Sequence, residues 1–185
     1  SSQDKTVIDK KVYRTQKISE FEIPVIDGKL NEGICNEDNW ASNFIQREPN
    51  ENTAPSEQTA FKIIYDSKFL YVGFKCFDSE TNKIVNRMSR RDGFDGDYVE
   101  IIIDSYHDLR SAFSLTITSS GVKGDKTISL NGTNEDVTWN PIWYARSDIN
   151  KEGWTAEIKI PLSQLRFGKS ENQVWGLQVV RKFFR

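Results

Sequence analysis

The sequence predicts an all-β fold: an antiparallel β-sandwich, jelly-roll-like, with one or two short helical turns. Three observations carry this expectation. Short runs rich in β-branched and aromatic residues recur at regular spacing through the 185 residues, polar turn residues separate them, and no alternation of strand with helix appears. The composition agrees, because 37% hydrophobic and 12% aromatic residues suit a chain that buries a core rather than a disordered one.

In chain order, residues 1–20 are polar and lack a clean period, and read as an arm or a first edge strand. Residues 21–185 read as the sandwich. Phe21 to Ile26 has strand character, limited by Pro24 to an edge or a strand start, and Asp27-Gly28 turns the chain. Leu30 to Trp40 reads as a short helical turn or an irregular lid, with Trp40 plugging the end of the core. Phe44 to Gln58 is a loop punctuated by Pro49, Asn50, Asn52 and Pro55. Thr59–Tyr65 and Phe69–Phe77 then form a hairpin around Asp66-Ser67-Lys68.

The central strand is Gly96 to Asp104. Side chains alternate across a strand, so Val99, Ile101 and Ile103 share one face while Tyr98, Glu100, Ile102 and Asp104 share the other. Ser111–Thr118 follows with Phe113, Leu115 and Ile117 inward. Lys126–Leu130 is a short strand and Asn131–Asn140 a loop. Ile142–Ser147 and Trp154–Ile160 form a second hairpin, Pro161–Leu165 a helical turn with proline near its start, and Gln173–Phe184 the last strand. Trp154 and Trp175 fall in core patterns. The run is still strand-like at Arg185, which predicts a module attached to further domains.

Charge excludes some classes. With 25 basic and 27 acidic residues, the chain has no electrostatic footprint for nucleic acid or for an anionic membrane surface. No apolar run approaches the length that spans a bilayer. Cys35 and Cys76 read as two buried free thiols, since Cys76 sits within a strand pattern. His107 is the single histidine and reads as a turn residue. With Met88 it gives little choice of haem ligands. Asn131-Gly132-Thr133 fits the glycosylation acceptor pattern.

The loop before the central strand, Arg91-Asp92-Gly93-Phe94-Asp95-Gly96-Asp97, leaves two readings open. Asp92, Asp95 and Asp97 offer hard oxygens to Ca²⁺, or the loop is a turn held by Asx hydrogen bonds and positive φ. Glu100 and Asp104, four residues apart, stand roughly 13 Å apart along a strand, while a glycosidase pair needs about 5–9.5 Å. They either partner arginines or solvent, or Glu100 accepts hydrogen bonds from a ligand. Trp139 and Trp143 flank Asn140-Pro141 and serve either as a stacking platform or as packing at the edge of the core.

Five ordered pieces carry a resemblance: Ile26–Glu32, Tyr65–Val72, Asp97–Asp104, Gly153–Pro161 and Trp175–Arg181. Together they resemble the family 9 carbohydrate-binding modules. The variant most similar stands at the N-terminus of large outer-membrane-associated bacterial proteins. The resemblance implies a non-catalytic β-sandwich, exported to the periplasm or cell surface, that binds oligo- or polysaccharide by an aromatic clamp and polar side chains. Structural calcium occurs in sugar-binding members. Phe94 resembles one clamping position, usually Trp, and Glu100 resembles the hydroxyl-binding acid. The second clamp falls either within Trp139–Trp143 or beyond the end of the chain. The expected site is thus Phe94, Asp97, Glu100 and Arg91, with Trp139 and Trp143. The rival expectation is a docking domain that has kept the sandwich without its sugar.

Overall fold

The computed structural model describes residues 11–36, 38–45, 48 and 53–185. The first ten residues of the expected arm and part of the 44–58 loop lie outside the described residues. In chain order the strands are β1 (Gln16–Lys17), β2 (Thr59–Tyr65), β3 (Phe69–Phe77), β4 (Tyr98–Asp104), β5 (Ala112–Thr118), β6 (Lys123–Ser129), β7 (Asn134–Asp136), β8 (Tyr144–Asn150), β9 (Gly153–Pro161) and β10 (Gly176–Lys182). They form two five-stranded sheets, ordered β1-β2-β3-β9-β8 and β10-β4-β5-β6-β7. All pairings are antiparallel except the two-residue β1–β2 contact.

The sheets pack through their apolar faces. Leu70, Val72, Phe74 and Cys76 of β3, with Trp154, Ala156, Ile158 and Ile160 of β9, meet Val99, Ile101 and Ile103 of β4 and Leu115 and Ile117 of β5. This is the two-residue period of each strand expressed as one buried layer. The β2–β3 turn is closed by Asp66, whose Oδ1 accepts the Lys68 and Phe69 N–H groups, both at 2.7 Å. Strand β6 starts three residues before the expected Lys126. The turn ahead of it is tight, with Thr118 Oγ1 accepting the Val122 N–H at 2.9 Å. Strand β7 lies inside the expected 131–140 loop. Its three residues are exposed and polar, and only pairing with Thr127–Ser129 makes them a strand. Cys35 and Cys76 are buried free thiols.

Two expectations at the N-terminal end are corrected. Phe21–Ile26 is not a strand. Glu20–Glu22 is a single 3₁₀ turn, held by Glu22 Oε2 accepting the Ser19 N–H at 2.8 Å, and the proline at 24 has no N–H to give to a ladder. Trp40 does not plug the main core. It lies on the opposite, outer face of the first sheet with Ile18, Ile34, Cys35, Ile64 and Tyr71. Gly73 makes this possible, since a Cβ there would stand 3.0 Å from Leu30 and 3.3 Å from Trp40. The single helical turn Gly33–Asn36 belongs to the same covering layer.

The first sheet is covered on its inner face by the second sheet, and on the β1-β2-β3 side of its outer face by the N-terminal segment, while Tyr144 and Arg146 of β8 stay exposed on the remainder. On the outer face of the second sheet, Tyr98, Glu100, Ile102, Lys126 and Val180 are half-buried, and Gln178 and Lys182 are exposed. This face is open to solvent.

Candidate functional site

The outer face of the second sheet is set by register. Glu100 on β4 lies opposite Thr116 on β5 and Val180 on β10, and Thr116 lies opposite Gly124 on β6. Ser114 Oγ donates to Glu100 Oε1 at 2.5 Å. Lys126 Nζ stands 3.6 Å from Glu100 and 2.9 Å from Glu135. Burial pulls the Lys126 ammonium down, but Glu135 and Glu100 more than offset it, so its pKa stands above the ordinary lysine value. The face therefore carries a fixed carboxylate acceptor and a fixed cationic donor side by side.

The loop before β4 brings an aromatic to the same face. Strand β7 pairs with β6 only from Thr127 onward, and the loop caps the open edge before it. The Asp92 N–H donates to Lys123 O at 3.1 Å, and Asp92 Oδ1 accepts the Asp125 N–H at 3.0 Å. Phe94 then falls on the outer side, over Gly124, with its ring centroid 5.3 Å from that of Tyr98. Tyr98 in turn stands 6.1 Å from Phe184, just beyond β10. Burial, then Glu100, raise the Tyr98 phenol above its usual pKa, so it stays a neutral hydroxyl.

Several expected site residues are not on this face. Asp97 is 0% exposed. Its Oδ1 accepts the Phe184 N–H at 2.8 Å, its Oδ2 is buried without a partner, and it cannot reach a ligand in solvent. Trp143 is 2% exposed. Its indole N–H donates to Asp125 Oδ2 at 2.9 Å, so the ring is core rather than platform. Trp139 packs on Phe113 with centroids 5.0 Å apart, and Phe113 sits on the inward side of β5, across the sheet from Glu100. Arg91 pairs with the buried Asp125 instead of joining Phe94, because the loop straddles the sheet edge. Trp175 and Leu177 also differ from a closed core. Strand β10 is an edge strand, so Trp175 is half-buried against Phe167, with centroids 5.5 Å apart, and Leu177 is 39% exposed.

The aspartate loop does not fit a calcium ion. Asp92 is committed to Asp125, Asp95 is exposed and pairs with Arg87 at 3.2 Å, and Asp97 is buried beside the C-terminal segment. Among the described residues, no group of three or more His, Cys, Asp or Glu side chains converges on a possible ion site. The loop is a turn with Asp92 at φ 62 and the Gly93 N–H donating to the Arg90 carbonyl at 3.0 Å; the expected Asx hydrogen bonds within the loop are replaced by the bond of Asp92 to Asp125 on β6. Asp104 is likewise structural, its Oδ2 accepting the Leu109 N–H at 2.8 Å.

The candidate site side chains that sequence reasoning missed are Tyr98, Lys126, Ser114 and Phe184. Tyr98 had a signal, because it shares the face of Glu100. Lys126 and Ser114 become visible only through strand register, and Phe184 through a contact 86 positions away in sequence.

A family model described as carbohydrate family 9 binding domain-like matches residues 26–182. The chain belongs to this family. Among solved structures, a family 9 carbohydrate-binding module from Caldicellulosiruptor kristjanssonii in complex with cellotriose is similar at 19% identity. That match covers 89% of this chain and 73% of the other, with a TM-score of 0.60. A glucose complex of a family 9 module from the same organism matches at 20% identity over 90% and 76% of the two chains, with a TM-score of 0.57. No curated protein matches the chain. The family 9 sandwich thus accounts for both sheets.

Proposed function

We propose that this domain is a non-catalytic carbohydrate-binding module, exported as part of a larger protein at the bacterial cell surface. The observation that carries the reading is the face itself. Glu100 is held by Ser114 and Lys126 on the uncovered side of the second sheet, beside the Phe94–Tyr98 ring pair. Aromatic rings stack on the apolar C–H face of a pyranose, while the carboxylate and ammonium take its hydroxyls. Family membership supports the reading, as do the sugars held by the two similar C. kristjanssonii structures.

Calorimetric titration with mono- and oligosaccharides tests it. Glu100→Gln removes the charged acceptor and keeps the shape, and should weaken binding about tenfold, a loss of roughly 1.5 kcal/mol, with the melting temperature little changed. Unchanged affinity removes Glu100 from the site. One observation favours a second reading, a protein-docking domain: Phe94 lies half-buried on Gly124 and Tyr98 instead of standing clear of the sheet. Absence of heat with any sugar, from folded protein, supports that reading.

A further inference from the structure

We infer that Glu157 is a pH-sensitive latch. Protonated, it holds the N-terminal covering layer against the outer face of the first sheet. Ionised, it lets residues 24–35 lift from that face while the sandwich stays folded.

The latch is built at the turn of the layer. Glu157 is 3% exposed, and one oxygen, Oε2, accepts the N–H groups of both Asp27 and Gly28, at 3.0 and 2.8 Å. Oε1 is left to carry a proton, and a protonated carboxyl still accepts through its other oxygen. The turn is seated closely here. A Cβ on Gly28 would stand 2.8 Å from the Ser147 carbonyl carbon, and Thr155 Oγ1 donates to Gly28 O at 2.6 Å.

The charges around Glu157 oppose its ionised form. Two further carboxylates, Glu32 and Asp27, act on it from the layer. Glu32 is fixed there, with Oε1 accepting the Val25 N–H at 3.0 Å and Oε2 the Cys35 thiol at 3.7 Å. Burial pushes that thiol up to about 11, so it stays neutral. The cations on this face are engaged elsewhere. Lys62 Nζ donates to Ile34 O and Asp38 O at 2.7 and 3.2 Å. Lys75 and Lys159 lie over the rings of Trp40 and Phe69, at 4.1 and 4.2 Å. Arg146, opposite Glu157 in register, turns Nη1 to Ala145 O at 3.0 Å. Lys29 is exposed, Asp148 of β8 is acidic, and the Tyr71 hydroxyl donates to Asp66. Among the described residues Glu157 has no ion-pair partner.

A buried carboxyl without a counterion keeps its proton. Burial first, then Glu32 and Asp27, raise this one to about 7 against an ordinary 4.5. Lifting the layer admits water and restores the ordinary value. The closed arrangement is therefore fully favoured below about 4.5, and loses that advantage as pH rises through about 7. The layer can yield by itself because it rests on a small separate cluster, Ile18, Ile34, Cys35, Ile64 and Tyr71, outside the main core.

The two buried thiols report the outcome, Cys35 from the layer and Cys76 from the main core. Each is labelled with iodoacetamide at about pH 5.5 and about pH 8.5, read by peptide mass spectrometry and divided by its rate in denatured protein at the same pH. The normalised Cys35 rate should rise about tenfold or more between the two, and stay within about twofold in Glu157→Gln, with Cys76 protected throughout. An unchanged Cys35 rate overturns the inference. So does joint labelling of Cys35 and Cys76, which marks opening of the whole domain. Hydrogen exchange on the unmutated protein tests the latch without the variant. Protection of the Asp27 and Gly28 amides should fall over the same range while that of Ile101 and Ile103 holds, and equal behaviour of the two pairs overturns it.

Discussion

Phe94 lies on Gly124 so closely that a methyl group at that glycine would stand 2.7 Å from ring atom Cε1 and nearer still to Cζ. The ring needs a position without a side chain beneath it, and the hydrogen bonds of Asp92 to β6 hold the loop at that height. Gly124→Ala is therefore expected to lift Phe94 off the sheet and weaken sugar binding about fivefold or more, the order of one aromatic contact. Calorimetry on the variant, with a melting curve beside it, separates this from unfolding. Unchanged affinity would remove Phe94 from the stacking surface.

Glu157 gives the stability of the domain a pH dependence. It is 3% exposed on the outer side of β9, and its Oε2 accepts the N–H groups of Asp27 and Gly28 at 3.0 and 2.8 Å. Burial, reinforced by Glu32 and Asp27, outweighs those bonds and raises its pKa to about 7. The folded state thus holds this proton more tightly than the unfolded chain. The associated stability is fully present below the unfolded value near 4.5, and is lost as pH rises through about 7. The loss should be on the order of 3 kcal/mol. Urea unfolding of wild type and Glu157→Gln between pH 4.5 and 8 measures it, and the variant should show a flatter profile over that window.

Asp125 holds two partners that have no other acceptor of equal quality. Its Oδ2 takes the Trp143 indole N–H, and its carboxylate pairs with Arg91. Asp125→Ala should destabilise the domain by about 2–4 kcal/mol by stranding a buried N–H and freeing the 91–97 loop. Chemical denaturation reads the loss. Tryptophan fluorescence should shift as water reaches Trp143.

One end of the sandwich is tied by a buried charge cluster. Arg185 Nη1 donates to both oxygens of Asp78, at 2.9 and 2.7 Å. Arg181, on the inner face of β10, reaches the first sheet through the carbonyls of Phe77 and Gln58 at 2.8 and 3.0 Å. Asp78→Ala leaves the Arg181 guanidinium in the core without its nearest buried anion and should cost about 3–5 kcal/mol. A smaller loss, below about 1 kcal/mol, would show that water takes over the role of Asp78.

Chelator should not destabilise the domain through the 92–97 loop. Asp92, Asp95 and Asp97 serve three separate structural purposes and do not converge. Melting curves with calcium and with excess chelator are expected to coincide within about 1 °C, well under the shift that a kcal/mol of linkage gives. A larger chelator effect would locate an ion elsewhere in the domain.

The sequence by itself determined the fold class and the facing of its long strands, though not β7, which exists only through its pairing with β6. The strict alternation in Val99, Ile101 and Ile103 against Tyr98 and Glu100, and the apolar runs of Thr59–Phe77 and Trp154–Ile160, leave an antiparallel sandwich as the economical way to bury one face of each strand. Glu100 and Phe94 could be singled out for the same local reason, as residues whose position follows from a strand and the turn feeding it. What only the tertiary structure decided is which polar and aromatic residues meet. Asp97 and Trp143 look available in sequence, yet Asp97 is buried beside the C-terminal segment and Trp143 within the core between the sheets. Phe184 and Lys126 look ordinary, yet register brings them beside Tyr98 and Glu100. The physical reason is range. Alternation and turn chemistry act between neighbours in the chain. Burial and side-chain contact across a sheet depend on which strand lies next to which, and that pairing is set by the packing of the whole core.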